Sequence, residues 1–222
     1  MAEARADAGT GPRPRRRVKP HYWDQAAREL ADRDPVLGEL IGRFPGLTLR
    51  RRGDAFSTLA RAIVGQQISV KAADSVWQRF VDVVGTVTPA AVAERPVPEL
   101  RGAGLSGQKS TYLRDLAAHF LDGTVNAAHW SGLDDEALIA ELTQVRGVGR
   151  WTAEMFLIFH LLRPNVLPLD DLGLQKAVSL HYNRGQAVPL RRLKALGKSW
   201  APWRSVATWY LWRSLDPIPV EY

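Results

Sequence analysis

The residues of this sequence best suited to chemistry lie in two neighbouring segments, a glycine hairpin at 147–149 and an aspartate pair at 170–171. Gly147 and Gly149 are one residue apart, a spacing that permits positive φ and a turn too tight for a side chain. Helical patterns precede and follow this hairpin, and Arg150 opens the second of them. The backbone N–H groups of Gly147, Gly149 and Arg150 at that helix N-terminus are therefore predicted to bind a phosphate.

Asp171 follows Trp151 by twenty residues, in the segment PLDDLG. A carboxylate beside a sugar stabilises the positive charge that develops when a glycosidic bond breaks. It can also orient or deprotonate an attacking water. The alternative is that Asp170 and Asp171 only cap the following helix, a position that aspartate favours. A phosphate site followed by an acidic residue indicates a protein that holds DNA and carries out chemistry on it.

The charge of the chain points to a polyanionic partner. The 222 residues carry a net charge of +7 with 45% hydrophobic content, enough for one large domain or two compact lobes. Residues 1–19, rich in Ala, Gly, Pro and Arg, carry six basic groups against Glu3 and Asp7. We expect a disordered basic tail there, which is either a solvated end or a nonspecific DNA-binding arm.

The residue types that the chain lacks exclude several classes of site. Cysteine is absent, which excludes disulfides, a catalytic thiol and a cysteine-ligated iron–sulfur cluster. The five histidines show no metal-ligand spacing. No apolar run approaches the roughly 20 residues of a membrane span, and the N-terminus has no signal-peptide core. We expect a soluble, cytoplasmic protein that is a monomer and has no membrane partner.

The hydrophobic pattern from residue 21 onward predicts an all-α fold. Apolar residues recur at helical spacing between short breaks, and only Leu47–Leu49 suggests a short extended piece. The predicted helices are Tyr22–Asp32, Pro35–Phe44, Asp54–Gln67, Val70–Val84, Pro89–Ala93, Pro98–Gly102, Ser106–Leu121, Asp135–Gln144, Arg150–Leu162, Asp170–His181, Leu190–Trp200 and Trp203–Leu215.

Several blocks of the sequence, taken in order, resemble the helix-hairpin-helix DNA glycosylase superfamily. The likeness is greatest to its alkylbase branch, the 3-methyladenine DNA glycosylase II type, in a compact form without the extra N-terminal β-containing domain of longer bacterial enzymes. The hairpin block reads VRGVGRWTAEMF and the aspartate block reads VLPLDDLGLQKAV. The blocks lie at 60–73, 100–117, 145–156, 166–178 and 202–212.

The resemblance implies a particular architecture. Two helical lobes would enclose a central cleft, with the DNA-binding helix-hairpin-helix beside it. Residues 54–164 would form a helical barrel that carries the hairpin. Residues 20–53 and 165–222 would pack together as a discontinuous second lobe.

The resemblance also implies roles for single residues. Asp171 would be the catalytic carboxylate. Trp151 stands where lyase-competent relatives carry a lysine that forms a Schiff base, and an indole cannot do so. Trp151, Met155 and Trp212 would line the base pocket, where aromatic faces attract a cationic base. The alternative for each is ordinary core packing.

An enzyme that acts on a base in duplex DNA must flip that base out and fill the gap with a wedge residue. Gly107 aligns with the position where some relatives carry a bulky wedge residue, and glycine has no side chain to fill the gap. Leu105 or Gln66 are therefore the candidate wedge residues. Lys109 and Arg204 are further candidate phosphate contacts.

The resemblance implies one more ligand at the hairpin. The backbone carbonyls of Thr143, Val145 and Val148 match the positions that hold a monovalent cation in the family. No other cofactor is expected.

The leading hypothesis is a monofunctional DNA glycosylase that removes alkylated purines, such as 3-methyladenine, from double-stranded DNA during base-excision repair. Two alternatives stay open at this point. One is a non-catalytic helix-hairpin-helix DNA-binding protein, which would have no need of Asp171. The other is a glycosylase for other damaged bases, against which Trp151 and the missing cysteines argue.

Overall fold

The computed structural model describes residues 19–51 and 53–216, and over these residues it contains helices but no strand. The all-α prediction is confirmed. Leu47–Leu49 forms no helix, turn or strand, and most of the predicted tail lies outside the described residues. The α-helices are α1 Trp23–Arg33, α2 Pro35–Arg43, α3 Ala55–Gly65, α4 Val70–Val84, α5 Pro89–Ala93, α6 Val97–Gly102, α7 Gly107–Leu121, α8 Asp135–Leu142, α9 Arg150–Phe159, α10 Leu172–Tyr182, α11 Leu190–Trp200 and α12 Arg204–Leu215, with a 3-10 turn at Trp130–Gly132 between α7 and α8.

Short polar side chains determine where most of these helices begin. Each accepts a hydrogen bond from a backbone N–H of the first helical turn, which would otherwise lack a partner. The capping residues are Asp34, Asp54, Ser69, Thr88, Ser106, Asp134 and Asp171.

Helix ends depart more from the sequence prediction than helix starts do. The helix predicted to reach Leu162 ends at Phe159, and Leu162 adopts a left-handed φ of 56°. Its apolar pattern continues because the linker after α9 is also packed against the core. The hydrophobic pattern therefore continues past the end of α9, and the predicted helix is three residues too long.

The helices pack in two groups. Helices α1, α2, α10, α11 and α12 contact one another, and helices α3 to α9 contact one another. The hairpin between α8 and α9 belongs to the second group, whereas Asp171 begins α10 in the first. The linker at 160–171 brings them together. The bounds of the two lobes given above stay a prediction. Over the residues that the structure describes, no helix has the length and apolar character to cross a membrane.

Asp34 ties three helices of the first group together. Its Oδ1 accepts from the backbone N–H groups of Val36 and Leu37 at the start of α2. Its Oδ2 accepts from the Tyr182 hydroxyl at 2.7 Å and from Trp200 Nε1 at 3.1 Å. Hydrogen bonds to a charged group are among the stronger ones in proteins.

Replacing Asp34 should therefore destabilise the fold. We expect Asp34→Ala to lower the free energy of unfolding by roughly 3 kcal/mol or more, since it removes a helix cap and two side-chain hydrogen bonds. Urea denaturation followed by circular dichroism measures this. Asp32→Ala, at an exposed position of α1, is the matched control and should change stability by under about 0.5 kcal/mol. Equal effects of the two changes would contradict the assigned role.

Candidate active site

Asp171 is the N-cap residue immediately before α10. Its Oδ1 accepts a hydrogen bond from the Leu174 backbone N–H at 2.6 Å. The residue is only 8% exposed, which is unusual for an aspartate. The capping role considered from the sequence is therefore real, but a cap alone does not explain the burial.

Two tryptophans complete the surroundings of this carboxylate. Trp212 Nε1 of α12 donates to Asp171 Oδ1 at 2.8 Å. Trp151 Nε1 of α9 donates to Asp171 Oδ2 at 2.9 Å. Three N–H donors from three different helices thus fix the carboxylate in one orientation. A buried charge requires such partners, because water is no longer available to solvate it.

The neighbouring aspartate has a different environment. Asp170 is exposed, whereas Asp171 is buried between the indoles. The structure therefore distinguishes the two members of the pair, and it places the residue predicted as catalytic at the buried position. Gly173 contributes to this arrangement, because a Cβ there would lie 3.1 Å from Asp171 Oδ1 and 3.2 Å from Trp212 Cδ1.

An aromatic wall adjoins the carboxylate. Trp212 stacks on Phe159 with ring centroids 5.6 Å apart and planes 12° from parallel. Trp151 is 40% exposed although it is a large aromatic side chain. Met155, which lies between Trp151 and Phe159 in the sequence, is buried. Phe159 was missed by the sequence analysis. The signal was present, since Trp151, Met155 and Phe159 follow at intervals of four on one face of α9.

The hairpin uses its two glycines differently. Gly147 has a φ of +85°, and a Cβ there would overlap the Tyr112 ring. Gly149 has a φ of −85° and is the N-cap of α9. A Cβ at Gly149 would meet no other atom within 4 Å. Internal packing therefore requires glycine at 147 alone, and the open space at Gly149 is available to a ligand.

Arg150 begins α9, and its side chain is engaged within the protein. Its Nη1 donates to Glu136 at 2.9 Å, and its Nε donates to Glu154 at 3.0 Å. Burial raises the pKa of the Glu154 carboxyl, and the Arg150 charge opposes that shift. The guanidinium thus orders the first turn of α9. The backbone N–H of Arg150 stays a predicted phosphate contact.

The side chains of two other predicted phosphate contacts are engaged by backbone carbonyls, and their contacts with DNA stay predictions. Lys109 Nζ donates to the carbonyls of Val64 at 2.8 Å and Gln66 at 2.7 Å, and burial lowers its pKa. Arg204 Nε donates to the Gly197 carbonyl at 2.8 Å. Both cations satisfy carbonyls at helix ends, positions where a positive side chain is favourable.

The two candidate wedge residues have different surroundings, and their role stays a prediction. Leu105 is only 5% exposed and packs in the core, a position that does not favour insertion into DNA. Gln66 Nε2 donates to the Gly147 carbonyl at 2.8 Å, which holds this side chain against the hairpin. Gln67, the next residue, is exposed and has a left-handed φ of 59°. No local sequence signal marked it, because glutamine seldom adopts that conformation.

The carbonyls predicted to hold a cation lie around the same hairpin. Thr143 caps the end of α8, and Val148 precedes the N-cap of α9. The Val145 carbonyl accepts the Val148 N–H at 3.0 Å, which leaves its second lone pair available. Backbone carbonyls suit an alkali cation, so the donor set fits. The cation itself stays a prediction. No cluster of three or more His, Asp or Glu side chains with metal-binding spacing occurs in the described part of the chain.

The fold and the site together define a class of protein. An all-α fold, a glycine hairpin that can bind phosphate, and a buried carboxylate between aromatic faces are features of helix-hairpin-helix proteins that act on DNA bases. The family model for the HhH-GPD superfamily base excision DNA repair protein matches residues 60–202. Because this match spans more than half of the chain, the protein belongs to that family.

Comparison with individual proteins agrees with this assignment. A putative DNA-3-methyladenine glycosylase of Bacillus subtilis is 31% identical over 204 residues, which cover 87% of this chain and 71% of the relative. DNA-3-methyladenine glycosylase 1 of Schizosaccharomyces pombe is 31% identical over 183 residues, covering 80% of each protein.

Solved structures show the same relationship. The crystal structure of a DNA-3-methyladenine glycosidase from Bacillus halodurans superposes with a TM-score of 0.80 and 32% identity, covering 86% of this chain and 89% of that one. The S. pombe 3-methyladenine DNA glycosylase in complex with abasic DNA superposes with a TM-score of 0.74 and 28% identity. The match covers 89% of this chain and 98% of that one. An 8-oxoguanine glycosylase/lyase from Clostridium acetobutylicum superposes with a TM-score of 0.73 over 88% of this chain and 71% of that one. It is only 19% identical, so this likeness shows the fold alone.

The hydrogen bond from Trp212 to Asp171 can be measured by a double-mutant cycle. We expect Trp212→Phe and Asp171→Ala to show a coupling energy of about 1.5–3 kcal/mol in urea denaturation, since phenylalanine keeps an aromatic ring but removes the indole N–H. Trp209→Phe, on the same helix, provides the control cycle, and its coupling to Asp171→Ala should be close to zero. Coupling of equal size in both cycles would mean that the effect is general packing.

The hairpin glycines provide a second matched pair. Gly147→Ala should lower the free energy of unfolding by roughly 2 kcal/mol or more, because its Cβ would overlap Tyr112 at a positive φ. Gly149→Ala should leave stability within about 0.5 kcal/mol of the wild type but weaken duplex DNA binding. Thermal or urea unfolding, together with fluorescence anisotropy on labelled duplex, tests both. Unchanged DNA affinity in Gly149→Ala would contradict a phosphate contact there.

Proposed function

We propose that this protein is a monofunctional DNA glycosylase that hydrolyses the N-glycosidic bond of alkylated purines, 3-methyladenine among them, in base-excision repair. The observation that carries the proposal is the buried Asp171 carboxylate, held by the indole N–H groups of Trp151 and Trp212. The relatives from B. subtilis and S. pombe are named as 3-methyladenine DNA glycosylases, which supports the same substrate class.

The hydrogen bonds of Asp171 suggest how it acts. Oδ1 accepts two N–H donors, from Leu174 and Trp212, whereas Oδ2 accepts one, from Trp151. Oδ2 therefore has capacity left for the sugar or for a water molecule. A carboxylate fixed in this way stabilises the oxocarbenium-like transition state without reorganisation.

The nucleophile would be water. Trp151 lies against the carboxylate but has no amine that could attack the sugar and form a Schiff base. Hydrolysis then releases the free base and leaves an abasic site in an intact strand. An alkylated purine carries a positive charge and leaves readily, so no strong general acid is needed.

The aromatic wall would select the substrate. The stacked pair Phe159 and Trp212 and the exposed face of Trp151 offer π surfaces to a planar ring. Such surfaces favour an electron-poor, cationic base through stacking and cation–π attraction. They discriminate little between different alkylated bases.

The remaining parts of the site would hold the duplex. Gly147, Gly149 and Arg150 would bind a phosphate through their backbone N–H groups, with a monovalent cation on the carbonyls of the same turn. Gln67 would fill the gap that the flipped base leaves. We expect the protein to act as a monomer, inside the cell, on double-stranded DNA.

The decisive experiment compares the two adjacent aspartates. We expect Asp171→Asn to reduce the release of 3-methyladenine from methylated duplex DNA by about 10²–10³-fold, since the amide keeps a helix-cap oxygen but removes the charge. Asp170→Asn should keep near wild-type activity, because that side chain is exposed. Released bases are separated by chromatography, and strand integrity is followed on denaturing gels.

The other outcomes are equally informative. Strand cleavage by the wild type without added base would contradict the monofunctional assignment. A wild type that binds duplex DNA but releases no base from methylated or deaminated substrates would favour the non-catalytic alternative. Full activity in Asp171→Asn would remove the role assigned to the carboxylate.

A further inference from the structure

Positive charge is distributed very unevenly along this chain. Residues 172–215 contain eight Lys and Arg and no Asp or Glu, whereas residues 54–164 contain ten basic and twelve acidic residues. The helices that carry the hairpin therefore have a net charge of −2, calculated from those two counts. A phosphate at the hairpin approaches a surface that is, taken as a whole, slightly repulsive. The attraction for a polyanion must come from elsewhere in the protein.

Helix α11 concentrates that charge on one face. Arg191, Lys194 and Lys198 are exposed and follow at i, i+3 and i+7, so they form one stripe along the helix. The opposite face of α11 is buried through Leu193, Gly197 and Trp200.

The loop before α11 adds a further cation. Arg184 is exposed there, in a left-handed conformation with φ of 54°. We call Arg184, Arg191, Lys194 and Lys198 the basic face.

The basic face is not neutralised by the protein. Among the residues that the structure describes, no carboxylate lies within ion-pair distance of these four side chains. Arg192, which points differently, is held by the Asn183 side chain and the Tyr182 carbonyl. By contrast, Arg150 beside the hairpin is paired with two glutamates. The four cations of the basic face therefore stay available to an external anion.

We propose that the basic face binds the phosphate backbone of the DNA duplex at a distance from the base that enters the active site. The inference rests on the proposed function, since it places the damaged nucleotide beside Asp171. Helix α10 joins Asp171 to the loop that carries Arg184, and its 11 residues span about 16 Å. We place the duplex axis along α10, and at 3.4 Å per base-pair step the contact then begins about five base pairs from the flipped base.

The dimensions of the stripe suit a sugar–phosphate strand. Arg191 and Lys198 are seven residues apart, which corresponds to about 10 Å along the helix axis. A DNA strand carries one phosphate per about 3.4 Å of duplex axis, so three or so phosphates lie within that length. Lysine and arginine at this spacing contact phosphates without reading the base sequence. The contact would raise affinity for any duplex that is long enough to reach it.

The experiment measures the affinity for duplexes of two lengths, about 9 and about 25 base pairs, each with a central abasic-site analogue. The triple variant Arg191→Ala, Lys194→Ala, Lys198→Ala is compared with a charge-preserving triple, Arg191→Lys, Lys194→Arg, Lys198→Arg. Arg28→Ala, at an exposed position of α1, serves as a remote control. Binding is followed by fluorescence anisotropy over a range of salt concentrations, and no base release is needed for the readout.

For the long duplex we expect the alanine triple to bind roughly 10–100-fold more weakly than the wild type at about 0.1 M salt. The slope of log affinity against log salt should fall by about 2–3, since each lost phosphate contact contributes about 0.9. On the short duplex the alanine triple should match the wild type. The charge-preserving triple and Arg28→Ala should match the wild type on both duplexes.

Two results would overturn the proposal. One is an unchanged affinity and salt slope on the long duplex, which would assign the basic face to a different anionic partner, such as an acidic protein. The other is an equal loss on short and long duplexes, which would mean that the charges act without local contact. Failure of the glycosylase assignment would be seen separately, as the absence of base release from methylated DNA by the wild type.

Discussion

The hydrogen bonding of one buried carboxylate joins the two groups of helices in this protein. Asp171 begins α10 in the first group, where Trp212 of α12 donates to it, while Trp151 donates from α9 in the second group. Moving a charge out of water costs several kcal/mol unless polar groups replace the lost solvation. The site can therefore exist only when both groups of helices are assembled. The same N–H donors that make the burial tolerable also fix the orientation of the carboxylate.

The hairpin depends on a second set of short contacts. The Tyr112 ring occupies the space that a side chain at 147 would need, and Gln66 bonds to the Gly147 carbonyl. Lys109 in turn holds the carbonyls at the end of α3. These contacts join the hairpin, the loop after α3 and the start of α7 into one unit. The loop that would enter the DNA and the turn that would hold its phosphate are thus positioned relative to each other before DNA binds.

Electrostatics separates the chemistry from the attraction of the duplex. Near the hairpin, Arg150 is paired with glutamates, and the net charge of residues 54–164 is negative. The Asp171 carboxylate adds further repulsion toward phosphate. The carboxylate-free segment at 172–215 carries eight basic residues, and three of them form the exposed stripe on α11. An active site that must stabilise positive charge can be kept acidic when DNA attraction is provided at another surface.

The sequence by itself determined the helices and the family resemblance, because hydrophobic periodicity and capping residues are local signals. Asp34, Ser69 and Asp171 cap helices that start at the predicted residue or within two residues of it. The tertiary structure decided which polar side chains are available for function. Leu105 and Lys109 lie in segments that the sequence assigns to DNA contact, yet packing buries the first and backbone carbonyls engage the second. Phe159 belongs to the aromatic wall because Trp212 of α12 stacks on it, a contact that the sequence around Phe159 does not indicate. Burial and hydrogen-bond partners depend on residues distant in sequence, so local pattern could not supply them.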